Sequence, residues 1–178
     1  LMEAVAAIHG CGIIIQSGMI VGFDHDDQTI FDRHFAFLQD SGVPVPMLNL
    51  LKAPTGTKLW ARLHKAGRVL RNDALRRTSN VEPLSNVLPL RMSMVDLLTG
   101  YRDLVTRIRD WRNFESRVRR LVTQVRRRPV VKQPLEWRNV TLLAIMLTQM
   151  RGRRARWTTL RLLAYTLWHA PFMAERAR

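Results

Sequence analysis

The sequence predicts an α/β fold that passes, in its second half, into a mostly α-helical part. Three observations carry this. Two short apolar runs, around Gly18-Met-Ile-Val-Gly22 and over Val45 to Leu51, are separated by a stretch with helical spacing. A second helical stretch follows the second run. Strand, helix, strand, helix at these lengths reads as parallel α/β structure with a right-handed crossover. Beyond residue 92 only helical periodicity remains, and the charge changes with it.

The elements follow in order. Leu1 to Gly10 places Leu1, Met2, Val5 and Ile8 on one helical face, with Gly10 and Gly12 ending it. Cys11, in that turn, reads as a small half-buried residue. Ile13, Ile14, Ile15, Met19, Ile20 and Val21 suit a strand buried on both faces. Glycine weakens a strand and marks a place where a ligand or another backbone comes close, so Gly18 and Gly22 are candidate contact points. For Gly22 the alternative is a backbone that requires positive φ. His25, Asp26 and Asp27 end the run. Ile30, Phe31, His34, Phe35 and Leu38 recur at three and four, a helix with Asp27 or Thr29 at its start and Gly42 past its end. After Val45 to Leu51 comes the turn Ala53-Pro54-Thr55-Gly56-Thr57, then a helix from Lys58 to Ala66 closed by Gly67.

Residues 68–92 lose periodicity and carry Pro83, Pro89, Asn72, Asn80 and Asn86, which predicts an irregular connector. This divides the chain into 1–67, 68–92 and 93–178. Ser93 with Asp96 makes an S-x-x-D capping box. Met94, Leu97, Leu98, Tyr101, Leu104, Val105 and Ile108 fall on one face of the helix it opens. The next helix, Asp110 to Arg128, turns Trp111, Phe114, Val118, Leu121, Val122 and Val125 inward. It turns Arg112, Arg117, Arg119, Arg120, Arg126, Arg127 and Arg128 outward. Pro129 and Pro134 precede a third helix, Leu135 to Met150. Arg151 to Arg156 reads as a basic turn. A fourth helix, Trp157 to His169, carries Leu160, Leu163, Leu167 and Trp168 and stops at Pro171. Leucine and aromatic positions in these helices read first as core.

The run Gly18-Met-Ile20-Val-Gly22-Phe-Asp24-His-Asp26 resembles the fifth-strand motif of radical S-adenosylmethionine (SAM) enzymes, a G-x-I-x-G followed by an acidic residue. Leu50-Leu-Lys-Ala53-Pro54-Thr-Gly56-Thr57-Lys-Leu59-Trp60-Ala-Arg62-Leu63 resembles the sixth strand and loop of their cobalamin-binding-domain branch, which includes hopanoid-modifying enzymes. Ser93-Met-Val-Asp-Leu97-Leu98-Thr-Gly100-Tyr101-Arg102 resembles the start of that branch's helical C-terminal domain of unknown function. The resemblance covers residues 1–125. It implies the last βα units of a partial (β/α) barrel over 1–67, followed by a helical C-terminal domain. It also implies reductive cleavage of SAM to a 5'-deoxyadenosyl radical and, in this branch, methyl transfer through methylcobalamin. The backbone past Gly18, Ile20 and Gly22, with Asp24, Ala53 and Pro54, would lie on the SAM side. The motif's acidic position falls on His25 here, which leaves Asp24 or Asp26 to take its part. Asp24, Asp26 and Asp27 therefore keep two readings: carboxylates at a helix N-terminus, or a polar contact to SAM or its ribose. On the same resemblance, residues 68–92 either cross the open end of the barrel near substrate or form a plain linker.

Radical SAM chemistry needs a 4Fe-4S cluster on a C-x3-C-x2-C loop, and this chain has one cysteine, Cys11. One thiolate cannot hold a cluster that takes three or four. The chain is therefore expected to be inert alone, with no catalytic residue of its own, and to be the C-terminal portion of a longer enzyme. The expected partners are N-terminal cobalamin-binding and cluster-binding regions, with those two cofactors present only in the full-length protein. His9, His25, His34 and His64 show no metal spacing, and no metal site is expected.

The formal net charge is +15. Residues 1–97 carry 10 Lys and Arg against 9 Asp and Glu, and residues 98–178 carry 19 against 5. Such asymmetry points to parts with different partners. A lone cysteine fits a reducing compartment, hence a cytoplasmic location. No secretory signal pattern opens the chain, and Val140 to Met150 is too short to span a bilayer. Arg153, Arg154 and Arg156 beside Trp157 and Trp168 suit a helix on an anionic membrane surface. The alternatives are a solvated face of a helical bundle and a nucleic-acid binder; no helix-turn-helix, zinc-finger or RNP signature supports the last.

Overall fold

The structure, a computed structural model, describes residues 1–70, 85–126 and 152–169. The expected helix over 135–150, the proline breaks at 129, 134 and 171, and most of the expected connector lie outside the described residues. The elements are α1 (Met2–Gly10), β1 (Gln16–Val21), α2 (Thr29–Ser41), β2 (Val45–Leu50), α3 (Lys58–Lys65), α4 (Met94–Arg109), α5 (Trp111–Gln124) and α6 (Arg153–His169). The architecture is mixed α/β and mostly helical, with β1 and β2 in one parallel two-stranded sheet. The chain divides into two compact units: one of Leu1–Gln16, Phe37–Val45 and Arg109–Arg178, the other of Ser17–Ala36 and Pro46–Ile108.

In the second of these units the parallel strands are joined beyond their ends, where the Leu51 N–H donates to the Val21 carbonyl at 2.8 Å. Val21, Leu50 and Leu51 are buried there. Thr57 starts α3, its hydroxyl accepting the Trp60 N–H at 3.1 Å. Leu63 of α3 packs with Leu51, Ala53 and Val87 in a small core. The expected box starts α4: Asp96 N–H donates to Ser93 Oγ at 3.0 Å, and Ser93 N–H donates to Asp96 Oδ2 at 3.1 Å. Leu97, Leu104 and Ile108 are its buried stripe, whereas Leu98 is exposed. Tyr101 Oη donates to the Leu48 carbonyl. At Gly100 the helix comes so close to Phe31 that a Cβ would overlap the ring, 2.6 Å from Cζ. Arg107 pairs with Asp32 at 2.6 Å and lies 4.0 Å above the Phe35 ring.

The described part of the expected connector pairs with itself. Val69 and Val87 form an antiparallel bridge, flanked by Leu70 N–H to Asn86 O and Leu88 N–H to Arg68 O. Asparagine and proline signals do not register a strand this short.

In the other unit α5 is the central helix, packed against α1 and α6. Asp110 caps it, accepting the N–H groups of Arg112 and Asn113. On α1 the buried positions are Val5 and His9, while Leu1, Met2 and Ile8 are exposed. Position thus outweighs hydropathy, because His9 faces α5 and its Nδ1 donates to Gln124 Oε1 at 2.7 Å. Arg117, expected to face solvent, is buried, and burial pushes its pKa down. The Gln39 amide, with its oxygen toward Arg117, accepts from Nη1 at 3.0 Å.

α6 differs most from expectation. It begins at Arg153, so the part of the expected basic turn from Arg153 to Arg156 is helix. Its buried positions are Ala155, Thr158 and Leu162, not Leu160 or Trp168. Small residues let a helix approach its neighbour closely. Arg119 of α5 stacks over Tyr165 at 4.3 Å and shares Glu115 with Arg161.

Candidate functional site

Of the residues marked by the sequence, Gly22, Asp24, Ala53 and Pro54 gather at the carboxyl ends of β1 and β2. In open parallel α/β sheets that is the side where ligands bind. Each is held by local chemistry. Gly22 has φ +106°, a backbone that only glycine adopts without strain, and its N–H donates to Asp26 Oδ2 at 2.8 Å. Asp26 takes the Phe23 N–H on the same oxygen at 2.9 Å. Asp27 caps α2, accepting Thr29 N–H at 2.9 Å; the Thr29 hydroxyl and N–H together hold its carboxyl below the usual range. Of the two explanations for Gly22, the positive φ is therefore the one that this geometry supplies.

Asp24 is engaged on both oxygens. Oδ1 accepts from Arg68 Nη1 at 2.7 Å and Oδ2 from Arg62 Nη1 at 2.6 Å. The Arg68 bond is the largest influence; with the Arg62 bond it holds the carboxyl below its ordinary value against an opposing cost of burial. Arg68 also donates from Nε and Nη2 to the Leu88 carbonyl at 2.9 and 2.7 Å. One guanidinium thus joins the turn after β1 to the segment after residue 84. Asn86 brackets the backbone after β2: its Nδ2 donates to Ala53 O, and its Oδ1 accepts Ala53 N–H, both at 2.9 Å. Ser85 Oγ donates to Leu51 O at 2.7 Å. Ala53 is buried and Pro54 is exposed beside it.

Gly18 and Ile20 lie elsewhere on β1. They take the alternate positions that are exposed, opposite to Val21, and Met47 does the same on β2. Ile13, Ile14 and Ile20 are 59%, 66% and 43% exposed, so the expected double-sided burial is not found. A Cβ at Gly18 would meet no atom of the described residues within 4 Å. None of the described residues around it requires glycine there.

Sequence reasoning missed Arg62, Arg68, Ser85 and Asn86. Asp24 and Arg68 are 44 positions apart and Ala53 and Asn86 33 apart, and no local spacing announces either pair. Cys11 is exposed. Among the described residues, no group of three or more His, Cys, Asp and Glu converges to hold a metal ion. No described helix is long and apolar enough to cross a membrane.

Residues 57–177 match a family described as a domain of unknown function (DUF4070). The match opens at the cap of α3, ahead of Ser93, and takes in Arg62, Arg68 and Asn86. Among curated proteins the chain is similar to the hopanoid C-2 methylase of Rhodopseudomonas palustris (strain TIE-1). They are 37% identical over 82 residues, which cover 46% of this chain and 15% of that protein. It is also similar to an uncharacterized methyltransferase of Synechocystis sp. (strain ATCC 27184 / PCC 6803 / Kazusa). There the identity is 32% over 91 residues, covering 51% of this chain and 17% of the relative. The chain thus spans less than a fifth of the length of either. No solved structure matches it. By a match over more than half of its residues, the chain belongs to the DUF4070 domain family.

Proposed function

We propose that the chain is the SAM-side and substrate-capping portion of a cobalamin-type radical SAM enzyme that methylates or otherwise modifies a lipid substrate. The family is found in cobalamin-binding radical SAM proteins, and both curated relatives carry methyl-transfer names, one of them acting on a hopanoid. The observation that carries the reading is Gly18. It is a glycine at an exposed position of a strand, with no atom of the described residues within 4 Å of where its side chain would begin.

SAM would be held along Gly18 and Ile20, with Gly22, Ala53 and Pro54 at the strand ends. Bound there, SAM would supply the radical chemistry, with cobalamin as the methyl carrier. This chain's residues bind and orient. The Asp26 carboxylate fixes the turn after β1, Asn86 fixes the backbone at Ala53, and Arg68 ties the turn to the segment at Leu88. Asp24 holds the arginines, so its contribution to a ligand is indirect. The residues present do not fit a 4Fe-4S cluster, because Cys11 is the single cysteine and three or four are required. We assign the cluster and the cobalamin to other parts of the full-length protein, and the enclosing barrel with them.

Gly18→Val in the full-length enzyme tests the reading. Valine favours a strand and meets open space, so melting should be unchanged or slightly raised. SAM affinity, measured by equilibrium dialysis, should fall about tenfold or more, the equivalent of losing 1.4 kcal/mol of contact. A folded variant that binds SAM as the wild type does would overturn the assignment.

A further inference from the structure

We propose that the outward face of α6 seats on an anionic lipid surface. The inference rests on α6 alone and stands apart from the SAM reading. With about 100° per residue in an α-helix, the exposed positions of α6 from Arg153 to Trp168 fall into one arc. Trp157, Leu160, Ala164 and Trp168 form its centre, a stripe roughly 80° wide by that rotation. Arg154 and Arg161 flank the stripe on one side and Arg156 on the other, with Arg153 at its N-terminal end. The opposite arc, Ala155, Thr158 and Leu162, is the buried one. The helix is therefore docked by one side and presents an apolar centre with a cationic border on the other.

The centre is costly to leave in water. Trp157 is 64% exposed, Leu160 47% and Trp168 83%. Two tryptophans on one stripe suit the headgroup boundary, where the indole ring is buried and its N–H stays wet. The arginines can lay their stems along the apolar stripe and reach outward with their charge. Arg161 keeps one contact to Glu115 at 3.1 Å while its side chain remains 61% exposed. An α-helix of 17 residues with this pattern lies in the interface plane and does not cross. α6 itself carries Arg153, Arg154, Arg156 and Arg161 and no acidic residue, a charge that draws its face to an anionic surface. A nucleic-acid groove would meet the arginines but would leave Leu160 and the stripe without an apolar partner.

Vesicle sedimentation of the whole chain tests this, using phosphatidylcholine vesicles with and without phosphatidylglycerol, at low and high salt. Binding should need phosphatidylglycerol and weaken with salt. Changing Arg153, Arg154 and Arg156 together to Gln should weaken it about a hundredfold at low salt and little at high salt. Trp168→Ala should weaken it by on the order of tenfold at either salt. Trp157→Ala should act the same way, and the melting curve of each variant should match the wild type, since both rings are exposed. No binding to phosphatidylglycerol vesicles at low salt would overturn the proposal. So would binding indifferent to both tryptophans, or a duplex DNA that displaces the vesicles.

Discussion

Replacing Asp24 by Asn should cost about 2 to 4 kcal/mol of stability. The two side chains have nearly the same shape, so the change removes charge and leaves packing alone. The larger share comes from Arg68. Both side chains in that pair are mostly shielded, at 16% and 18% exposure, and the contact is 2.7 Å. A hydrogen bond to a charged group in such a setting contributes about 1.5 to 3 kcal/mol. The Arg62 side chain is 62% exposed, and its pair adds only about 0.2 to 1 kcal/mol. An amide can turn its oxygen to one guanidinium, but its NH2 then meets the donors of the other. At roughly 2 to 4 °C per kcal/mol, the melting temperature should fall by about 4 to 16 °C. The pH dependence fixes the cause. The arginines hold the Asp24 carboxyl below its ordinary value of 3.8. A depressed carboxyl contributes stability that is fully present above its unfolded pKa and is lost as pH falls through the folded one. The gap between wild type and variant should be constant from neutrality down to about pH 5, then close in acid. Asp27 and Asp96 are lowered too, by the caps of Thr29 and Ser93, but they are common to both proteins and cancel. Guanidinium unfolding across a pH series measures the gap. A gap under about 0.5 kcal/mol at pH 7, within the range of ordinary surface changes, would refute the idea that this pair holds the turn.

Two glycine substitutions give further predictions. Gly22→Ala should cost about 1 to 3 kcal/mol, because φ +106° strains any side chain and the new Cβ would sit 3.4 Å from Leu97. An unchanged denaturation midpoint would contradict this. Gly100→Ala would gain about 1 kcal/mol of helix propensity in an open helix. Here it should lose about 1 to 3 kcal/mol net, since its Cβ overlaps the Phe31 ring. Combining it with Phe31→Leu should restore part of the loss, and a neutral or stabilised single variant would show that the ring moves aside freely.

What could be read in advance follows from where each signal originates. Elements set by local chemistry were legible: the Asp27 cap, the Ser93–Asp96 box and the Thr57 turn all act within four residues. Choices of face were not. On α6 both arcs offer apolar groups, and periodicity cannot say which one docks. The docked arc is the one with Ala155 and Thr158, since small side chains let the helix lie close to α5. Arg117 failed for a related reason, because a charge is read as surface unless a distant partner such as Gln39 is known. The site shows the same division most clearly in its glycines. Gly18 and Gly22 look alike in sequence, four positions apart in one apolar run. The fold itself accounts for Gly22, through positive φ and the Asp26 bonds. Among the described residues it gives no reason for Gly18, whose backbone is extended and whose Cβ would meet none of them within 4 Å. A glycine that costs strand stability without an internal cause is better evidence for an external ligand than one that its own backbone demands. The site we propose is therefore centred on Gly18 and the face it shares with Ile20, with the turn at Gly22 as its frame.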